Sequence, residues 1–72
     1  MTKFSCTMSS GSYIYYATLI AENEQQAREM AVAETNKTSS GQGGRVRDWG
    51  AGVLEAGVEG PARILACGHR EA

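Results

Sequence analysis

The segment from Tyr13 to Ala21, Tyr-Ile-Tyr-Tyr-Ala-Thr-Leu-Ile-Ala, is rich in aromatic and β-branched residues and contains no glycine or proline. It reads as a long strand. Tyr13, Tyr15, Ala17, Leu19 and Ala21 share one side of it, and Ile14, Tyr16, Thr18 and Ile20 share the other. Both sides are largely apolar, so both ask to be covered. That demand constrains the fold more than any other feature of the chain.

Residues 3–8 alternate, with Phe4, Cys6 and Met8 on one face and polar residues on the other. Ser9-Ser10-Gly11-Ser12 supplies turn chemistry and predicts a hairpin into the 13–21 strand. Asn23 stands where a helix N-cap belongs, with Gln26 three residues on to complete a capping box and Glu24 at the positive end of the dipole. Good helix formers then run from Glu24 to about Asn36. Ala27, Met30, Ala31 and Glu34 form one stripe, and a stripe of alanines lets a helix lie close to a sheet. Gln25, Arg28, Glu29 and Thr35 fall on the face expected to be solvated.

Lys37 to Gly44 is a polar loop. Beyond it, Arg45 to Trp49 reads as a short strand with Val46 inward, and Gly50-Ala51-Gly52 as a break or bulge. Val53 to Ala56 reads as a strand, 57–61 as a turn, and Ala62 to Cys67 as a closing strand. The order is ββα followed by a β-hairpin, as ββαββ or ββαβββ. It predicts an α+β fold: an antiparallel sheet of four or five strands with one helix on one face. A lone helix covers only one side. Ile14, Tyr16 and Ile20 then lie beneath C-terminal strands curling over them, or they form an exposed apolar patch that suits a partner or a second copy of the chain.

Seventy-two residues make one domain, 1–72, and a chain of that length buries only roughly 60% of its unfolded surface. A deep catalytic pocket would consume most of its packing residues, so size favours binding over catalysis. Lys and Arg number 7 against 8 Asp and Glu, a formal net charge of −1. Proteins that wrap nucleic acid non-specifically are usually basic, so the balance favours a protein partner while leaving room for a local basic patch. Met1-Thr2-Lys3 leads directly into a strand, with no apolar signal region and no run long enough to span a bilayer. The expected location is cytoplasmic, where Cys6 and Cys67 remain thiols and the Asn36-Lys37-Thr38 sequon carries no sugar.

Catalytic groups are sparse, and neither catalysis nor a cofactor is expected. His69 is the single histidine; Cys67 and His69 point to the same side of an extended strand, as a reactive pair or as a packed cysteine beside a surface histidine. Cys6, Cys67 and His69 make three metal ligands at most, short of the four a structural zinc requires. Cys6 and Cys67 would pair only if the first and last strands were neighbours. Gly41-Gln42-Gly43-Gly44 follows a helix instead of opening one, so it reads as a connector and not as a phosphate cradle. On a strand, Arg45, Arg47 and Trp49 would project together. That cluster is a core tryptophan with solvated arginines, a protein-contact patch, or a site where nucleic acid stacks on Trp49 with its phosphates on Arg45 and Arg47.

The junction Ala21-Glu22-Asn23-Glu24-Gln25-Gln26-Ala27, a strand ending in alanine with an Asn cap and turn-spaced alanines, resembles small ββα proteins of bacteriophages and mobile elements. The element order is similar to that of some small anti-CRISPR proteins, including a type I-F inhibitor with a strand hairpin, a helix and a C-terminal antiparallel sheet. The resemblance implies inhibition by adhesion to a CRISPR effector complex, through its Cas backbone or DNA-recognition subunits, without catalysis. It brings no contact residues with it. Local chemistry nominates Arg45, Arg47 and Trp49 as anchors, with Ile14 and Tyr16 as a second patch or dimer seam. A small nucleic-acid-binding accessory module is the alternative expectation.

Overall fold

The computed structural model describes all 72 residues. Strand β1 (Thr2–Ser10) and strand β2 (Tyr13–Ala21) lead into helix α1 (Glu24–Thr38), a single 3-10 turn (Val46–Asp48), β3 (Gly50–Glu55) and β4 (Arg63–Glu71). The four strands form one antiparallel sheet in the order β3-β1-β2-β4, and α1 packs against one face of it. The fold is α+β, as the hydrophobic pattern predicts. No helix is long and apolar enough to cross a membrane.

A two-residue turn joins β1 to β2: Ser10 pairs with Tyr13, and Gly11 takes φ +59°, a conformation open to glycine at little cost. The register then sets Phe4 against Leu19, Cys6 against Ala17 and Met8 against Tyr15, all of them buried under the helix. The Asn23 side-chain oxygen accepts the Gln26 N–H at 2.8 Å, as the cap motif predicts. The reciprocal arm reaches one residue further back than a capping box requires, with Gln26 Oε1 accepting the Glu22 N–H at 2.6 Å. Ala27, Ala31 and Thr35, four apart, form the line that meets the sheet. Thr35 was expected on the solvated face. Burial continues the line of alanines instead, and its hydroxyl finds the Cys67 sulfur at 3.8 Å.

The C-terminal half departs from expectation in three ways. First, β3 and β4 are not a hairpin; they occupy opposite margins of the sheet. Helix α1 carries the chain past β1, so β3 pairs with the outer side of β1. Adding β4 to β2 then places the two-sided apolar strand inside the sheet, which a β3–β4 hairpin would have left at an edge. Second, Gly50-Ala51-Gly52 belongs to the β3 ladder, with Ala51 opposite Cys6 and Gly52 opposite Ser5. The irregularity falls instead at Leu54, between the Phe4–Val53 and Lys3–Glu55 pairs. A matching one falls at Leu65, between Thr18–Ala66 and Leu19–Ile64. Because Phe4 and Leu19 are cross-strand partners, both bulges sit on one row across the sheet. Third, β4 does not end at Cys67 but continues through Gly68, His69, Arg70 and Glu71.

Arg45 to Trp49 is not a strand either. The Asp48 carboxylate accepts the Arg45 N–H at 2.9 Å, and the Asp48 N–H bonds the Arg45 carbonyl at the same distance. Together they fold Val46–Asp48 into a 3-10 turn. The turn aims Trp49 into the core, where it is 2% exposed among Met8, Ala31 and their neighbours. Its indole N–H donates to the Gly43 carbonyl at 2.7 Å, and the Gly43 N–H donates to the Asn36 side chain, also at 2.7 Å. Helix end, loop and core are thereby tied at one point.

Candidate functional site

Trp49 therefore cannot anchor a partner. Arg45 and Arg47 are exposed on the turn beside α1, but without the indole between them they form no shared face. Ile14, half-buried, and Tyr16, exposed, are neighbours on β2. They lie on the sheet face opposite the helix.

Cross-strand pairs define that outer face row by row. One row runs Glu55, Lys3, Ile20, Arg63; the next Gly52, Ser5, Thr18, Ala66; then Gly50, Thr7, Tyr16, Gly68; and last Ser9, Ile14, Arg70. The C-terminal strands widen the sheet and do not curl over it. Ile20 is nonetheless only 1% exposed, because its end of the face is closed. The crossover from β3 to β4 passes there, held by the Val58 N–H on the Met1 carbonyl at 2.8 Å. The open remainder is less apolar than the 13–21 strand suggests. Its β1 side carries Ser5, Thr7 and Ser9, and its paired β3 positions are Gly50 and Gly52; Leu54 and Leu65, at the two bulges, are exposed apolar residues on the sheet margins.

Tyr16, on an interior strand, is 40% exposed. Its ring lies across β4: a Cβ on Gly68 would stand 2.7 Å from the hydroxyl oxygen and 3.0 Å from Cζ. Gly68 is what lets the ring rest low on the sheet. Beside it, Thr7, Ile14, Tyr16 and Arg70 line a shallow depression of about 310 Å³. That volume is at the lower limit of small-ligand sites, so it suits one side chain or ring. Arg70 is exposed and makes no ion pair within the chain. Gly68 and Arg70 escaped the sequence reading because the pairing of β4 was needed to place them, whereas Thr7 lies opposite Tyr16 through the expected β1–β2 hairpin alone. With the closing strand expected to end at Cys67, Gly68 carried no signal; only its place within edge strand β4 marks the close approach of the Tyr16 ring.

The reactive groups are dispersed. Cys6 and Cys67 flank Ala17 on opposite sides, two strand spacings or roughly 9.5 Å apart, beyond the ~7 Å reach of a disulfide. His69 is engaged elsewhere, with its ring 5.6 Å from those of both Tyr13 and Tyr15, edge-on to the first. Cys6, Cys67 and His69 therefore do not converge on a common point. Burial pushes the Cys6 thiol above its ordinary value, and the charge of Arg28 offsets this only in part. Cys6 should therefore resist thiol reagents in the folded state near neutral pH while half-buried Cys67 reacts, and oxidation should yield no intramolecular bridge. Timed alkylation with mass spectrometry checks both. Because the unfolded chain ionises Cys6 at lower pH than the folded one, this residue's contribution to stability is lost as pH rises through the alkaline range above the ordinary thiol value.

The fold and face define a class: a small α+β protein with one helix-covered and one largely open sheet face. No family model, curated protein or solved structure matches the chain.

Proposed function

We propose that this is a non-catalytic binding protein of a phage or mobile element, which inhibits a host protein complex by occupying it through the outer sheet face. The observation that carries the reading is Tyr16, a large aromatic left 40% exposed on an interior strand. Aromatic residues and arginine dominate the binding energy of protein interfaces, and Tyr16 has Arg70 beside it in the same depression. The target class, a CRISPR effector complex, rests on the architectural resemblance alone. Self-association through the same face is a further possible use of it, and light scattering across a concentration series would reveal it.

Co-elution with purified effector complexes on a sizing column tests the reading. Tyr16→Ala should abolish co-elution. Failure to co-elute with any candidate complex would count against the proposed target, and retention by Tyr16→Ala would count against the face. Gly68→Ala is the sharper probe. Its new methyl group would displace the Tyr16 ring, which is free to swing into solvent, so stability should change by no more than about 0.5 kcal/mol. Unchanged thermal melting with lost co-elution is the expected pair of results.

A second reading has one observation in its favour: an exposed ring beside a cation is also how single-stranded nucleic acid is held. A gel shift that weakens steeply with salt would support it, and no shift at low salt would remove it.

A further inference from the structure

We propose that the depression between Thr7, Ile14, Tyr16 and Arg70 receives an acidic protein segment, with a planar or apolar side chain against Tyr16 and an adjacent carboxylate on Arg70. This rests on the reading of the outer face as the contact surface and names the chemistry of what sits there.

Charge distribution is the first argument. The acidic side chains lie mainly elsewhere: Glu24, Glu29 and Glu34 on the helix, Glu22 before it and Asp48 in the 3-10 turn. Glu71 pairs with Tyr13 and so faces the helix side. On the strands of the outer face Glu55 is the only acid, with Glu59 in the crossover at the closed end, against Lys3, Arg63 and Arg70. The helix side also carries Arg28, Lys37, Arg45 and Arg47, so its acids are only partly in excess; the preference for an acidic partner rests on Arg70, which has no ion pair within the chain.

The second argument separates a protein segment from a nucleic acid strand. A single strand presents a phosphate at every nucleotide and is held by a track of cations. Here the cations form no track. Lys3 stands opposite Glu55, and the Arg63 guanidinium is tied to the Glu59 and Pro61 carbonyls at 3.3 and 2.9 Å, both at the closed end. Arg70 alone is free beside the aromatic ring, and its planar fork suits one carboxylate. One ring, one free cation and an aliphatic wall from Ile14 match a short acidic segment bearing an aromatic residue. The surrounding Ser5, Gly50, Gly52 and Ala66 let its backbone approach closely.

The test is an NMR titration of the full chain with blocked pentapeptide probes, one a tryptophan flanked by glutamates and one a tryptophan flanked by lysines, with oligothymidylate as a third ligand. The acidic peptide should shift the amides of Thr7, Ile14, Tyr16, Gly68 and Arg70, and bind about two- to five-fold more tightly than the basic one, the scale of a solvent-exposed ion pair. Arg70→Glu, a change at an exposed position, should reverse that order. Equal binding of both peptides, an unchanged order in Arg70→Glu, or tighter binding of oligothymidylate on the same residues overturns the inference. Failure here leaves the outer-face reading standing if Tyr16→Ala still abolishes co-elution with a target; if it does not, the face itself was misassigned.

Discussion

Trp49→Ala should leave the chain unfolded at room temperature. Removing a buried tryptophan costs about 3–5 kcal/mol, and a core in a domain of this size rarely supplies more than about 3–5 kcal/mol in total. The loss is not only of volume. The indole N–H is the donor to the buried Gly43 carbonyl, and through Asn36 that residue fixes the end of α1. Trp49→Phe separates the two contributions: it restores most of the packing but leaves the Gly43 oxygen without its partner, at a cost of about 1–3 kcal/mol. Far-UV circular dichroism with urea should show no cooperative transition for the alanine variant and a weakened but cooperative one for the phenylalanine variant. A folded Trp49→Ala would mean that the tryptophan is not the keystone described.

Gly43→Ala should be nearly as damaging, despite adding a single methyl group. The new Cβ would lie 2.6 Å from the Asn36 side-chain oxygen and 2.7 Å from the Val32 carbonyl. The asparagine can rotate away only by surrendering its bond to the Gly43 N–H, and the carbonyl belongs to the helix backbone and cannot yield cheaply. Overpacking of this kind costs about 1–3 kcal/mol, and losing the hydrogen bond adds roughly 1 kcal/mol. A fall in the urea midpoint corresponding to at least about 2 kcal/mol is expected. Gly41→Ala gives a useful comparison. Its Cβ meets nothing within 4 Å, so any cost there reflects only its φ of +84°.

The parts of the fold legible in the sequence were those governed by local rules. Period-two alternation gave β1 and β2, and the Asn23 cap with its alanines gave α1, because each depends on residues a few positions apart. Thr35 was misplaced because a threonine is read as polar, while its position, four residues beyond Ala31, is set by helix geometry. Arg45 to Trp49 was misread for a related reason. Arg45, Val46 and Arg47 mimic a strand's alternation, but Asp48 can satisfy the Arg45 N–H locally and so favours a turn. The placement of β4 was not legible at all: pairing with β2 instead of β3 is decided by which arrangement shelters the 13–21 strand. The candidate site inherited both outcomes. Ile14 and Tyr16 were found from β2 alone and Thr7 follows from the β1–β2 hairpin, whereas Gly68 and Arg70 could be joined to them only after the strand order was known.

The two displaced leucines, Leu54 and Leu65, carry a consequence for solubility. An open sheet has unpaired backbone along both margins, and such margins can template fibre growth. Here each margin is broken near the same level, so a docking chain meets a regular ladder of four residues along β3, from Gly50 to Val53, or six along β4, from Ala66 to Glu71, before the register slips. Deleting both leucines would straighten the margins, and agitation should then raise thioflavin fluorescence that stays flat for the parent chain. On this view the bulges serve the protein outside its folded core, by keeping an exposed sheet from propagating when many copies accumulate.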